Sequence, residues 1–343
     1  MKTILNTIYI TNPNRYLSLD GENVVILEGN EEIGRTALHR ISGIITFGYS
    51  GVSPALMKKC TSYGIAISFM SRSGRFLGRV VGEQNGNVLL RKEQYRISDD
   101  ETRSLDIAKS FIIGKLYNSR WVIERVTRDH SLSADVDKLK HASSQLFNLT
   151  KSVLNCESPD SLRGLEGDGA SIYFGVFDEM ILQQKDEFQF NGRNKRPPLD
   201  PINSMMSYVY TLLAHETAAA AEAAGLDAYV GFLHRDRPGR LSLGLDLMEE
   251  FRSVLADRFV LSLINRREVT IDSFSQKESG AVIICDEARK TILSQWQNKK
   301  QETITHPFTK EKMQWGTAIL VQAQLLARYI RGDMDAYPPL LWK

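Results

Sequence analysis

The spacing of apolar residues changes near residue 100, and that change restricts the chain to folds with two unlike parts. Up to about residue 95, short β-branched runs alternate with turn signals: TIYIT, RYLSLDGENVVILEG, GRTALHRISGIITFG, GIAISFM, GRFLGRVVG and NGNVLL. Runs of this length between Gly, Asn and Asp read as strands, and Asp20-Gly21 and Asn85-Gly86 have the form of hairpin turns. One helix interrupts them at SPALMKKCTSYG, where Ser53 caps, Pro54 fits the first turn and Gly64 ends the helix. From Asp99-Asp100 the period is helical, beginning with SLDIAKSFIIGKLYNSRWVIERV, and only AYVGFLH and AVIICD look strand-like. The expectation is an α+β multidomain chain. Residues 1–98 form a small all-β N-terminal domain, a split sheet or sandwich, and residues 99–343 a mostly α-helical domain.

A length of 343 residues with 42% hydrophobic residues is enough for two cores. Cys60, Cys156 and Cys285 are scattered and odd in number, which argues against a disulfide framework and against a thiolate zinc site. The N-terminus has no sustained apolar stretch, and AILVQAQLLARYI, from Ala318, is too short and too polar to span a bilayer. A soluble, cytoplasmic protein is expected. The net charge of +2 withholds the simplest signature of a nucleic-acid binder. Basic residues nevertheless cluster: Lys115, Arg120, Arg125 and Arg128; Arg193, Lys195 and Arg196; Arg235, Arg237 and Arg240. The first cluster reads as a solvated helix face. The other two flank candidate chemistry.

That chemistry starts in SLRGLEGDGASIYFGVFDEM, from Ser161. On a helical wheel Leu162, Leu165, Ile172, Tyr173, Val176, Phe177 and Met180 form one stripe, and Glu166 falls inside it. A carboxylate facing a core needs a hydrogen bond, a cation or a metal; the plain alternative is a buried pair with an arginine. In AYVGFLHRDRPGRLSLGLDLMEEFR, His234 precedes a tight turn, and Asp246 and Glu249 lie three apart on one helix side. One imidazole with carboxylates and no thiolate suits Mn²⁺ or Mg²⁺ better than structural zinc. The remaining histidines lack such companions, and neither a P-loop nor a G-x-S-x-G elbow is present.

Three segments, SLRGLEGDGASIYF, NGRNKRPPLDPINSMMSYVYTLL and GFLHRDRPGRLSLGLDLMEEFR, together resemble the CRISPR adaptation integrase, the universal CRISPR-associated endonuclease family. FIIGKLYNSR, GIAISFMSRSGRFLG and the tail YPPLLWK agree, so the resemblance covers essentially the whole chain. It implies a β-rich N-terminal domain before a helical catalytic domain. It also implies one divalent ion, Mg²⁺ or Mn²⁺, on Glu166, His234 and Glu249. Many members carry Asp at the third of these positions, so Glu249 departs from that version. Asp246 matches an additional acid near the site, a candidate catalytic residue, and Tyr210 a tyrosine near the scissile DNA. Arg193, Arg196 and Asn203, with Arg235 and Arg240 of the later cluster, are the expected DNA contacts. The implied reaction is insertion of a captured double-stranded DNA fragment into a CRISPR repeat by 3′-hydroxyl attack. The implied partners are a second copy and a small ferredoxin-fold subunit. A nuclease that only hydrolyses nucleic acid and a non-catalytic DNA-binding scaffold are the alternatives.

Overall fold

The computed structural model describes residues 7–48, 50–72, 76–82, 88–194 and 196–343. Asn85-Gly86, Lys195 and the Ser73, Gly74 and Arg75 of the GIAISFMSRSGRFLG segment lie outside the described residues. The chain forms two compact units, Met1–Asn85 with Arg289–Glu302, and Gly86–Ala288 with Thr303–Lys343.

The first unit is built on two four-stranded sheets. β1 (Thr7–Ile10), β5 (Gly43–Phe47) and β7 (Ala66–Met70) run parallel, and β8 (Phe76–Val80) closes that sheet antiparallel to β7. The other sheet has the order β4 (Glu31–Ala37), β3 (Asn23–Glu28), β2 (Arg15–Asp20) and β6 (Gly51–Val52). The Asp20-Gly21 signal is realised there. Asp20 pairs with Asn23 across a two-residue turn in which Gly21 takes a φ of +57°, which favours glycine. Alternate side chains of both sheets, among them Leu17, Val24, Ile44 and Ile67, enter one core. That core is completed by Leu56 and Cys60 of α1 (Pro54–Ser62). The helix begins as expected, with Ser53 Oγ accepting the Leu56 amide at 3.2 Å and Pro54 in the first turn.

NGNVLL does not end as a strand. Its last residues, Val88–Leu90, open α2 (Val88–Asp99), which belongs to the helical unit. The fully buried Gln94 of α2 explains the choice, because its amide bonds the carbonyls of Asp227 and Val230 and accepts the Asp227 N–H. Arg289–Glu302, most of α9 (Asp286–Gln301), groups with the strand-rich unit.

The second unit is organised on α3 (Glu101–Asp129), whose N-terminal amides are capped by Asp100. α4 (Val136–Leu154), α5 (Pro159–Gly175) and α7 (Ser242–Phe251) pack on it. α5 comes close because position 169 is glycine; a Cβ there would stand 2.3 Å from Leu116. α6 (Pro201–Ala223) covers α7 and starts at an Asp200 cap followed by Pro201. Between α7 and α8 (Arg258–Asn265) the backbone winds as a π-helix over Arg252–Asp257. Two short antiparallel pairs, β9 (Phe274–Gln276) with β10 (Val282–Ile284) and β11 (Thr303–Thr305) with β12 (Lys312–Gln314), and α10 (Trp315–Ile330) complete the unit. Among the described residues, no helix is long and apolar enough to cross a membrane.

The last residues lie against α3 and α7 through buried polar bonds. Asn118 donates to the carbonyls of Glu250 and Leu340, both at 2.7 Å, and accepts the Trp342 amide at 3.0 Å. Glu250 accepts from Tyr337, Gln322 and the Leu340 amide at 2.5, 2.6 and 2.7 Å. Replacing Asn118 with Ala leaves three buried backbone groups without partners. We expect a loss of about 2–4 kcal/mol in denaturant unfolding, together with faster proteolysis of the last residues.

Candidate active site

The segment AYVGFLH, which reads as a strand, is a loop. Its amides bond a carboxylate instead of a neighbouring strand. Asp246, fully buried on α7, accepts the N–H groups of Phe232 and Leu233 on Oδ2, at 2.7 and 3.0 Å, and that of His234 on Oδ1 at 3.0 Å. Oδ1 also meets His234 Nδ1 at 2.6 Å. A carboxylate in that position makes Nδ1 the protonated nitrogen, so the neutral ring presents the Nε2 lone pair away from Asp246. Gly231 makes this approach possible, since a Cβ there would lie 2.8 Å from Asp246 Oδ2. Ser98 and Ser104 hold the loop from behind through the carbonyls of Gly231 and Phe232.

One turn beyond Asp246, Glu249 is also buried. It faces two cations: Lys115 Nζ of α3 at 2.9 Å and Arg252 Nη1 at 3.0 Å. Burial would raise the Glu249 carboxyl, but the charges of Arg252 and Lys115 outweigh it and hold the group down at about 2. Lys115 has a second acid, Glu166 of α5, in contact with the same ammonium. The acid that falls inside the apolar stripe of α5 is therefore paired, as the ion-pair reading anticipated, with a lysine in place of an arginine. The expectation that Lys115 lies on a solvated face is corrected: it is 6% exposed. Its sequence position held the clue. Phe111, Ile112, Leu116, Ser119, Val122 and Ile123 form the buried stripe of α3, and Lys115 stands inside it.

Glu166 borders a cavity of about 640 Å³ that is also lined by Phe174, Phe190, Arg193, Tyr210 and Arg252. Arg252 and Arg193 lie over the Tyr210 ring, 4.7 and 5.3 Å from its centre. The Tyr210 hydroxyl donates to the buried Asp257 at 2.5 Å. Burial and the Asp257 charge push the phenol well above its ordinary value, so it is protonated at neutral pH. Burial also raises Asp257 to about 6, against the opposing pull of Tyr210, Arg252 and Arg193. Asp257 went unnoticed in the sequence because only the π-helical winding turns it towards Tyr210.

The expected DNA contacts divide by exposure. Asn203 is fully buried, its oxygen taking Arg193 Nη1 and the Asn194 amide and its nitrogen bonding Gly192 and Asp200. It shapes the loop that carries Arg193. Arg196 and Arg235 are exposed and Arg240 is half-buried; Arg235 reaches Asp160 at 3.8 Å.

The resemblance implies a divalent ion, and the donors agree with one in kind. Glu166 and Glu249, from different helices, converge on a single positive centre, and His234 is oriented through Nδ1 by Asp246. The structure does not gather all three. Among the described residues, no three His, Cys, Asp or Glu side chains stand together as a ready cage; the ammonium occupies the centre between the two acids.

A strand-rich unit followed by a helical unit, in which Glu166, Arg193 and Arg252 line one cavity and Glu249 shares the Lys115 ammonium with Glu166, agrees with the endonuclease class that the motifs resemble. Comparison with known proteins agrees. The family model described as CRISPR associated protein Cas1 matches residues 8–298. The chain is 48% identical, over the full length of both proteins, to a CRISPR-associated endonuclease Cas1 of Rhodospirillum rubrum. Its fold is similar to that of a casposase bound to an integration product, with a TM-score of 0.83, 23% identity and coverage of 99% of this chain and 95% of that one. It is also similar to a chain of a Cas6-RT-Cas1–Cas2 complex, with a TM-score of 0.81, 23% identity and coverage of 100% of this chain and 36% of that one. The chain belongs to the CRISPR-associated Cas1 endonuclease family.

Two outcomes test the geometry. In Gly231→Ala the added methyl displaces Asp246, and we expect about 1–3 kcal/mol of destabilisation in equilibrium unfolding and loss of the fixed His234 tautomer in ¹⁵N imidazole spectra. The second concerns Asp257, whose carboxyl is raised in the fold, so its contribution is present below pH 4 and is lost as pH rises towards about 6. Asp257→Asn is uncharged throughout, so the stability of the wild type relative to this variant is expected to fall across that window in melts at stepped pH.

Proposed function

We propose that the chain is the catalytic subunit of a divalent-metal-dependent integrase that inserts DNA fragments into a CRISPR array. The observation that carries this reading is the convergence of Glu166 and Glu249 on one cationic centre, at the edge of a cavity lined by Arg193 and Arg252. Glu166, Glu249 and the Nε2 of His234 are the groups that would hold Mn²⁺ or Mg²⁺; when bound, the ion supplies Lewis acidity to the phosphate and lowers the pKa of the attacking hydroxyl.

The chain's own residues do the remaining work. Arg193 and Arg252 offer positive charge to a phosphodiester entering the cavity, and Arg252 Nε is buried without a hydrogen-bond partner. The 3′-hydroxyl of the fragment attacks phosphorus, a new P–O bond forms, and the bond to the repeat's 3′-oxygen breaks. The hydroxyl gives up a proton and the leaving oxygen takes one. Tyr210, protonated and tied to Asp257, positions the strand rather than acting as a base. Asp246 positions His234. Water in place of the hydroxyl makes the same site a nuclease.

The exposed Arg196 and Arg235, with Arg240, extend the positive surface for backbone contacts that carry no sequence information. With a chain of net charge +2, affinity for duplex must be added up over several subunits. The proposed assembly is a homodimer joined by a small ferredoxin-fold partner in the cytoplasm, with binding that weakens steeply with salt.

The test supplies a fragment ending in a 3′-hydroxyl, a supercoiled repeat plasmid, Mn²⁺ and the small partner. We expect joined product, reduced at least about a hundredfold in Glu166→Ala, His234→Ala and Glu249→Ala, with duplex binding retained. Cleavage without joining leaves only the hydrolytic nuclease. Undiminished joining in all three variants removes the proposed metal site.

A further inference from the structure

Lys115 is the feature that this function does not use. It projects from the middle of α3 into the helical core, 6% exposed, and its ammonium touches both Glu166 and Glu249. These acids come from α5 and α7, both of which pack on α3. Two carboxylates brought together, one in the core and one at its edge, repel unless a cation stands between them. Here that cation is part of the chain. Counting the charges in contact, Glu166 and Glu249 are balanced by Lys115 and Arg252, so the cluster is neutral with no added ion.

A Mg²⁺ ion ligated by the same two carboxylates would stand about 2.0–2.1 Å from their oxygens, whereas the ammonium stands 2.9 Å from Glu249 Oε2. Both occupants claim the space between the acids, and two further positive charges beside Lys115 and Arg252 would leave the pocket overcharged. We propose that Lys115 is a tethered cation that holds the Glu166 and Glu249 pair together while no divalent ion is bound, and that an incoming ion must displace it. The inference rests on the metal reading given above and adds a competitor to it. Lys115 keeps the acids of the metal-free chain within reach of each other, and it weakens divalent affinity by the work of moving an ammonium out of a buried ion pair. The lysine stem can move its head without any change in α3, because four methylenes separate the ammonium from the backbone.

The experiment titrates Mn²⁺, without DNA, into the wild type, Lys115→Met and Glu166→Ala, reading free Mn²⁺ by electron paramagnetic resonance and unfolding by thermal melts. Lys115→Met is expected to bind Mn²⁺ at least about tenfold tighter. Its metal-free midpoint falls, and Mn²⁺ raises it by more than it raises the wild type. A second measurement needs no variant. Amine acetylation of the wild type, mapped by mass spectrometry, is expected to spare Lys115 in EDTA and to modify it several-fold faster at saturating Mn²⁺. An unchanged or weaker Mn²⁺ affinity in folded Lys115→Met overturns the inference, and so does acetylation of Lys115 that does not respond to Mn²⁺. In both cases, Mn²⁺ binding that is lost in Glu166→Ala leaves the metal reading standing. Absence of Mn²⁺ binding to the wild type overturns both.

Discussion

Repulsion between two neighbouring carboxylates, Glu249 buried and Glu166 half-buried, is the constraint around which the helical unit is arranged. Glu166 and Glu249 approach each other because α5 and α7 both pack on α3, and the approach is tolerable because α3 brings Lys115 and the π-helical segment brings Arg252. Neither cation is dispensable on charge grounds, since a buried acid left without its partner costs several kcal/mol. The same compensation explains the low setting of Glu249. It is ionised in a place where burial alone would neutralise it, and an ionised carboxylate is what hard-cation chemistry requires.

The acids of α7 have separate duties assigned by their spacing. Asp246 gives all its acceptor capacity to three amides and an imidazole, and so turns a loop into a rigid mount for His234. Glu249, one turn later, faces the ammonium of Lys115. Glu250 points into the tail contacts with Tyr337 and Leu340, where burial raises it to about 7. Three carboxylates on a ten-residue helix thus serve loop geometry, site charge and attachment of the last residues.

Much of this was legible in the order of residues. The change of period announces strands followed by helices, Ser53-Pro54 marks α1, and Glu166 inside an apolar stripe marks an acid that needs a partner. Other parts were not, for physical reasons. AYVGFLH has strand composition, yet its amides are claimed by a carboxylate twelve or more positions away, which no local propensity records. NGNVLL is too short to tell a strand from a helix start. Lys115 obeyed the same stripe rule as Glu166, but its place among arginines suggested a solvated face. The inward folding of Arg193 onto Asn203 and Ser207 depends on loop contacts that spacing cannot express.

The winding of Arg252–Asp257 has a geometric result of its own. On a regular helix of 3.6 residues per turn, positions five apart point about 140° away from each other. A π-helix bonds residues five apart and narrows that angle, so Arg252 and Asp257 address one ring, the arginine across its face and the aspartate at its hydroxyl. The segment therefore works as a spacer of one residue. Its length sets the angular phase between α7, which carries the acids, and α8, which carries the packing; within the family, insertions and deletions should be absent from this stretch even where its side chains vary.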